Sequence, residues 1–246
     1  MISIKCRDVI FKNIQAIIFD KDGTLENTAD FLRNLGRKRS RLIDAQIPGI
    51  GEPLLMAFGI DADRIDPTGL MAVGSRRENE IAAAAYIAET GRGWIESLEI
   101  ARRAFADADA YLDKSNHAEI FTGCLEVIKY LCNGGLKLGI LSAAPTKEVQ
   151  AFAQRYQLQD YVSLFMGVDE GPSKPDPILF WQACQSLQVE TGATLMVGDS
   201  LGDIIMAKNA GAAGCVGICW GENRVGYLKG ADVTIASLDE IQILPN

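Results

Sequence analysis

Beyond Thr122 the chain switches repeatedly between two hydrophobic periods, and few folds accommodate such switching. Cys124, Val127, Ile128 and Leu131 recur at helical spacing, and Gly134 with Gly135 supplies a stop. Residues 138–141 are then an apolar run of strand length. Pro145 opens a second helical pattern with Val149, Phe152, Ala153 and Tyr156 on one face. Residues 164–168 read as a strand, and Pro177 sits in the first turn of a helix that carries Phe180, Ala183 and Leu187. A strand over 195–197, a helix over 204–210 stopped by Gly211, and strands over 214–218 and 233–235 complete the series. Ser237 with Glu240 forms a capping box for a short final helix. Residues 16–19 add a strand near the N-terminus, preceded by a segment suited to an edge strand or hairpin. Such alternation predicts an α/β fold: a parallel sheet with helices on both faces.

The rhythm breaks between Glu26 and about Ser115. Here the patterns are helical only: Leu32, Leu35 and Leu42; then Ile81, Ala84, Ala85 and Ala88; then Leu98, Ala101, Phe105, Ala108 and Leu112. A block without strands, set inside an α/β alternation, predicts an inserted helical domain over 26–115, with 1–25 and 116–246 forming the α/β unit. At 246 residues and 48% hydrophobic content there is enough material for both. The basic run Arg33, Arg37, Lys38, Arg39 and Arg41 reads as a solvated helix face.

Charge narrows the partners. With 24 Lys and Arg against 32 Asp and Glu, the net charge of −8 repels nucleic acid. No apolar stretch suits a signal peptide or a membrane-spanning helix; residues 210–220 are apolar but hold three glycines. The six cysteines include no CxxC pair and read as reduced thiols, so the expected location is the cytoplasm.

The polar residues that stand out all follow strands. Asp20 follows residues 16–19, Ser142 follows 138–141, and Asp199 follows the run ending at Gly198. Ligands of open parallel sheets bind outside the carboxyl ends of the strands, so one rim receives Asp, Ser and Asp. Any one of them alone would serve as an N-cap. Asp20 and Asp22 are two carboxylates leaving a strand into a turn at Gly23, and they repel unless a cation or proton is present. One can act as nucleophile while the other, protonated, donates to a leaving group. Gly23 lets the backbone turn tightly and leaves amides facing an anion. Asp199 and Asp203, one helical turn apart, add oxygen ligands that suit Mg2+. Lys174, between Ser173 and Pro175 and just ahead of a helix start, is the cation expected to balance these acids.

In these motifs the chain resembles the haloacid dehalogenase-like hydrolases, in the branch of phosphoglycolate phosphatase-like and β-phosphoglucomutase-like members. Residues 20–25 (DKDGTL) resemble that family's first motif, Ser142 its second, Lys174 its third, and Asp199 with Asp203 its fourth. The resemblance implies a Rossmann-like core with an all-helical cap inserted after the first motif. It implies an Mg2+-dependent phosphatase for a small phosphorylated metabolite, with phosphoglycolate as the expected type. Asp20 would attack phosphorus; Asp22 would protonate the leaving group and then activate water. Gly23, Thr24, Ser142, Ala143 and Lys174 would hold the phosphate. Asp20, the backbone carbonyl of Asp22, and Asp199 would bind the metal, with Asp203 assisting. Lys21 departs from the Phe that many phosphoglycolate-phosphatase-like members carry.

Dehalogenation is disfavoured by Asp22, and a Schiff-base mechanism by Lys38 being the only lysine between Glu26 and Asp113. A sugar phosphomutase of the β-phosphoglucomutase type stays open, with His117 as the one histidine at the cap's return. So does a catalytically weak phosphate-binding or regulatory protein on the same scaffold. Within the cap, Arg92, between Gly91 and Gly93, is the candidate specificity residue, ahead of Arg76 and Arg77. The sequence does not specify an oligomeric state.

Overall fold

In the computed structural model, residues 2–112, 118–221 and 225–245 are described. The chain divides into two compact units, Met1–Asn27 with Ile120–Asn246, and Thr28–Glu119. The first opens with β1 (Ile2–Cys6), β2 (Val9–Ile14), β3 (Ala16–Phe19) and the two-residue β4 (Glu26–Asn27). The second holds α1 (Ala29–Asp44), α2 (Gly51–Phe58), β5 (Ile60–Asp61), β6 (Arg64–Ile65), α3 (Leu70–Val73), α4 (Arg76–Glu89) and α5 (Trp94–Leu112). After β7 (Glu119–Ile120) come α6 (Cys124–Asn133), β8 (Lys137–Leu141), α7 (Thr146–Arg155), β9 (Leu164–Met166) and α8 (Pro177–Leu187). The chain ends with β10 (Thr194–Gly198), α9 (Leu201–Ala210), β11 (Gly214–Ile218), β12 (Val233–Ile235) and β13 (Ile241–Leu244).

Six strands form the main sheet in the order β12-β11-β10-β3-β8-β9, every pair parallel, with β3 inside. This is the parallel sheet expected from the alternation, in the Rossmann-like form that the resemblance implied. Strand side chains point to opposite faces in turn, and two separate clusters follow from that. Ile17, Phe19, Leu138, Ile140, Leu195 and Val197 pack with α6 and α7 through Val127, Ile128, Val149 and Phe152. Ala16, Ile18, Leu141, Met196 and Cys215 pack with α8 and α9 through Phe180, Ala183, Ile204 and Ala207. Each large side chain so buried contributes about 1.5–3 kcal/mol. Strands covered on both faces must be apolar along their whole length, which is why these runs were readable. The helix limits follow local rules: Pro177 is the first residue of α8 behind the Asp176 cap, and Gly211 ends α9 at φ +81°.

Of the edge strand or hairpin expected ahead of β3, the hairpin forms, and β1–β2 joins β13 in a separate antiparallel sheet, order β13-β1-β2. One feature of this unit differs from the sequence reading. The expected final helix is only a 3₁₀ turn, Leu238–Glu240, behind the Ser237 capping box, and β13 follows it at once. A cap can start a turn, but Ile241 and Ile243 pair with strand β1 instead of continuing a helix.

The second unit has its own core, in which Leu35, Ile43, Leu54, Phe58, Ala83, Ile87, Ala101 and Phe105 are buried together. Between Thr28 and Leu112 its described residues are helical apart from a small hairpin, β5–β6, which the helix-only expectation omitted. Gly59 ends α2 at φ +77° and Ala62 turns the two strands at φ +43°. The α4 face also differs: Asn79, Ala83, Ala84 and Ile87 are buried, while Ile81 is 42% exposed. Arg39 is not solvated. It lies four residues from both Leu35 and Ile43 on the buried stripe of α1, stacks 4.2 Å from the Phe105 ring and pairs with Asp109 at 3.1 Å. Among the described residues no helix is long and apolar enough to cross a membrane. No disulfide links the cysteines.

Candidate active site

Sheet register brings the candidate residues to one level. Phe19 pairs with Val197 on one side and Ile140 on the other, so Asp20 leaves β3 beside Gly198 and Leu141. Asp199 and Ser142 are each one residue further along the flanking strands. The Asp20 amide donates to Val197 O at 2.9 Å, prolonging the ladder one step past the strand. The chain then reverses tightly: the amides of Leu25 and Glu26 both donate to Lys21 O, and Gly23 N–H donates to Glu26 O, all at 2.9 Å. Gly23 adopts φ +76°, and a Cβ on it would fall 2.0 Å from Asp199 Oδ2. Glycine is therefore required twice here, by the backbone and by the neighbouring acid. Trp220 Nε1 donates to Thr24 O at 3.0 Å, while the buried Thr24 Oγ1 has no hydrogen-bond partner.

Three carboxylates converge at the tip of β3. Asp20, Asp199 and Asp203 each present one oxygen within 4.8 Å of the others. Asp203 is placed by its helix: Ser200 Oγ donates to its Oδ2 at 2.6 Å and accepts from its amide at 3.2 Å, the capping box of α9. Gly198 leaves room for it, since a Cβ there would sit 2.5 Å from Asp203 Cγ. Lys174 balances the group, with Nζ 2.6 Å from Asp20 Oδ1 and 2.6 Å from Asp203 Oδ1. The side chains of Asp20, Lys174 and Asp203 are all buried.

Burial sets the protonation behaviour. It pushes the Asp20 carboxyl up to about 7, against the pull of Lys174 and with help from Asp203 and Asp22. Asp199 is raised well above the usual carboxylate range, first by burial and then by Asp20 and Asp203. Lys174 stays charged because Asp20 and Asp203 outweigh the burial of its ammonium. Oxygen-only donors crowded this closely, with two glycines in place of intruding side chains, suit a hard divalent cation. The residues fit such an ion.

Asp22 faces a different set of partners. Ser142 Oγ donates to its Oδ2 at 3.1 Å, and Ser142 Oγ also accepts from the Ala144 amide at 3.1 Å, closing the turn that holds Ala143. The buried Lys21 ammonium donates to Asp22 Oδ1 at 2.5 Å and to Glu26 Oε2 at 2.8 Å. Arg155, at the end of α7, reaches Glu26 Oε1 at 3.3 Å. The two carboxylates keep Lys21 charged despite burial. Sequence reasoning missed Glu26 and Arg155, and treated Lys21 only as a departure from a family pattern. The available signal was a lysine between two acids with a third acid five residues on, in a segment otherwise apolar.

The cap candidates lie in the other unit. Arg92 sits in the joint between α4 and α5, where Nη1 donates to Thr90 Oγ1 at 2.7 Å and Nε lies 3.8 Å from Glu96. Arg76 begins α4 behind the Ser75–Glu78 capping box and pairs with Glu80 and Asp109. His117 lies outside the described residues.

A family model described as haloacid dehalogenase-like hydrolase matches residues 14–211. Phosphoglycolate phosphatase 1 of Pseudomonas aeruginosa is 27% identical over 209 residues, covering 85% of this chain and 70% of the relative. N-acetylmuramic acid 6-phosphate phosphatase of Pseudomonas putida is 26% identical over 200 residues, 80% of each chain. Among solved structures, a "predicted phosphoglycolate phosphatase" from Haemophilus somnus 129pt superposes with a TM-score of 0.67 at 22% identity, over 92% of this chain and 96% of that one.

Proposed function

The chain belongs to the haloacid dehalogenase-like hydrolases, and from that membership we propose that it is a magnesium-dependent phosphatase for a small phosphorylated metabolite. One observation carries the reading: Asp20, at the tip of an inner strand, is buried against Lys174 at 2.6 Å and faces Asp199 and Asp203. Asp20 attacks phosphorus and forms an aspartyl phosphate as the ester P–O bond breaks. Asp22 passes its proton to the leaving oxygen, then takes one from the water that attacks the phosphoryl group, which frees phosphate and restores Asp20. The phosphate oxygens are held by Lys174, the Ser142 hydroxyl and the backbone at Gly23, Thr24 and Ala143. The residues that would hold magnesium are Asp20, Asp199 and Asp203 with the Asp22 carbonyl, and the ion, when bound, supplies positive charge against the phosphate oxygens. Relatives named for phosphoglycolate support a short phosphorylated carboxylic acid as substrate. Arg92 is the cap residue to examine for it.

Release of phosphate from p-nitrophenyl phosphate and from a panel of phosphorylated metabolites, with and without Mg2+, tests the reading. Asp20→Asn should lower turnover by about 10³-fold or more, since no other group takes the phosphoryl. Turnover by that variant at the wild-type rate would remove Asp20 as nucleophile. Conversion of glucose 1-phosphate to the 6-phosphate, in place of free glucose, would replace hydrolysis by mutase chemistry.

A further inference from the structure

Lys21 is the charged residue of the first motif that the phosphatase scheme does not use. Its side chain runs from the motif turn into a buried site, 5.8 Å from the Phe152 ring centroid. An apolar side chain would fill such a site at lower cost, because a buried ammonium needs its charge answered. Here two carboxylates answer it, Asp22 Oδ1 at 2.5 Å and Glu26 Oε2 at 2.8 Å. Glu26 is in turn tied through its other oxygen to Arg155 on α7. The chain Arg155–Glu26–Lys21–Asp22–Ser142 therefore fixes one carboxylate by way of another, with charges alternating along its first four members.

Asp22 is the member whose orientation matters for chemistry. A short carboxylate side chain leaving a turn has several staggered orientations open to it. Donors on both oxygens select one: Lys21 occupies Oδ1 and Ser142 lies at Oδ2. Since Oδ1 is taken by the ammonium, Oδ2 is the oxygen left to exchange a proton on the side of Ser142, where the substrate phosphate is to be held. We propose that Lys21 is a positioning residue that pins Asp22 through Oδ1 and so aims Oδ2 at the leaving-group oxygen, with Glu26 as the anchor that holds Lys21 in place. This rests on the phosphatase reading and adds to it which oxygen of Asp22 transfers the proton and what orients it.

The leaving group supplies a readout that a merely structural salt bridge would not move. An alkoxide needs a proton from Asp22 as the P–O bond breaks, whereas p-nitrophenolate leaves as a stable anion. Lys21→Met should lower kcat/KM for an alkyl phosphate, phosphoglycolate or glycerol 2-phosphate, by about 10²-fold, while kcat/KM for p-nitrophenyl phosphate falls less than about fivefold. Because Lys21→Met leaves Glu26 buried with less positive charge, the double variant Lys21→Met, Glu26→Gln is the companion measurement. It should melt closer to the wild type than the single variant does and still show the selective loss on the alkyl ester. Should the single variant fail to fold, the double variant carries the same comparison. Equal losses on both esters, or recovery of alkyl turnover in the double variant, would overturn the positioning role while leaving the phosphatase reading intact. A wild type inert toward every ester with Mg2+ would overturn both.

Discussion

Asp20 and Asp199 are held where an ionised carboxylate is expensive, and the cost is the reason a cation would bind. With metal absent, burial pushes Asp20 up to about 7 and raises Asp199 as well, even though Lys174 opposes the shift at both. Protons and the divalent ion then compete for the same oxygens. Below about pH 7 the proton wins at Asp20 and above it the carboxylate is available, so Mg2+ affinity should rise between pH 6 and pH 8. Stability follows the same linkage. A carboxyl whose folded-state value is raised holds its proton longer in the folded chain, so the metal-free protein loses stability as pH climbs from about 4 through 7. We therefore expect the increase in Tm on replacing EDTA by Mg2+ to be several degrees larger at pH 8 than at pH 6. An increment independent of pH would mean that these acids do not bind the ion. The main acids of this rim were legible because strand ends and the Gly23 turn mark them in the sequence. Glu26 and Arg155 were not, because the Glu26 side chain reaches Asp22 by way of Lys21 and its partner Arg155 lies 129 residues away in the chain.

At the level of elements, legibility tracked hydrophobic contrast. Beyond Lys137 and Thr194 at their starts, strands β3, β8, β10 and β11 are buried on both faces and read as apolar runs, and α6 shows a clean stripe of Cys124, Val127, Ile128 and Leu131. Helix α4 offers little contrast, since Ala82 to Ala85 place alanine on every face, and the buried stripe fell on Asn79, Ala83 and Ile87 instead. Strand β13 is four residues long and acquires its partner from the opposite end of the chain, a pairing no local pattern announces. Helix α1 misled for another reason: Arg39 occupies a core position, its charge answered by Asp109 and its guanidinium plane laid on Phe105. Asp109 also receives Arg76, so it joins α1, α4 and α5. Replacing Asp109 by Ala would leave the Arg39 charge buried beside an apolar cluster. Because Asp109 is itself about a third exposed, the expected loss is about 1–3 kcal/mol, below that for a fully buried pair, and should appear as a lower denaturant midpoint at unchanged m. A change within 0.3 kcal/mol would show that Arg39 finds compensation elsewhere.

For the whole molecule, the two units differ in what holds them together. Every strand of the main sheet and all three convergent carboxylates belong to Met1–Asn27 and Ile120–Asn246, whereas the cluster around Phe58 and Phe105 belongs to Thr28–Glu119. Within the first unit the chain's departure and return are adjacent: the Phe121 amide donates to Leu25 O at 2.9 Å, and the Phe121 ring stacks on Trp220 at 4.3 Å, which itself holds Thr24 O. A short Gly/Ser linker can therefore replace residues 28–119 without stretching the motif turn, and loop-closure entropy favours the shorter connection. The excised chain keeps the register that sets Asp20 beside Gly198 and Leu141, together with Lys21, Glu26 and Arg155. It should melt cooperatively, gain stability on Mg2+ addition to within about 1 kcal/mol of the full chain's gain, and still cleave p-nitrophenyl phosphate. If Arg92 helps to choose the substrate, as proposed, the excised chain's preferences across the metabolite panel should flatten. If the excised chain is unfolded by circular dichroism, or folds but no longer responds to Mg2+, then the rim around Asp20 depends on residues 28–119 for its own fold.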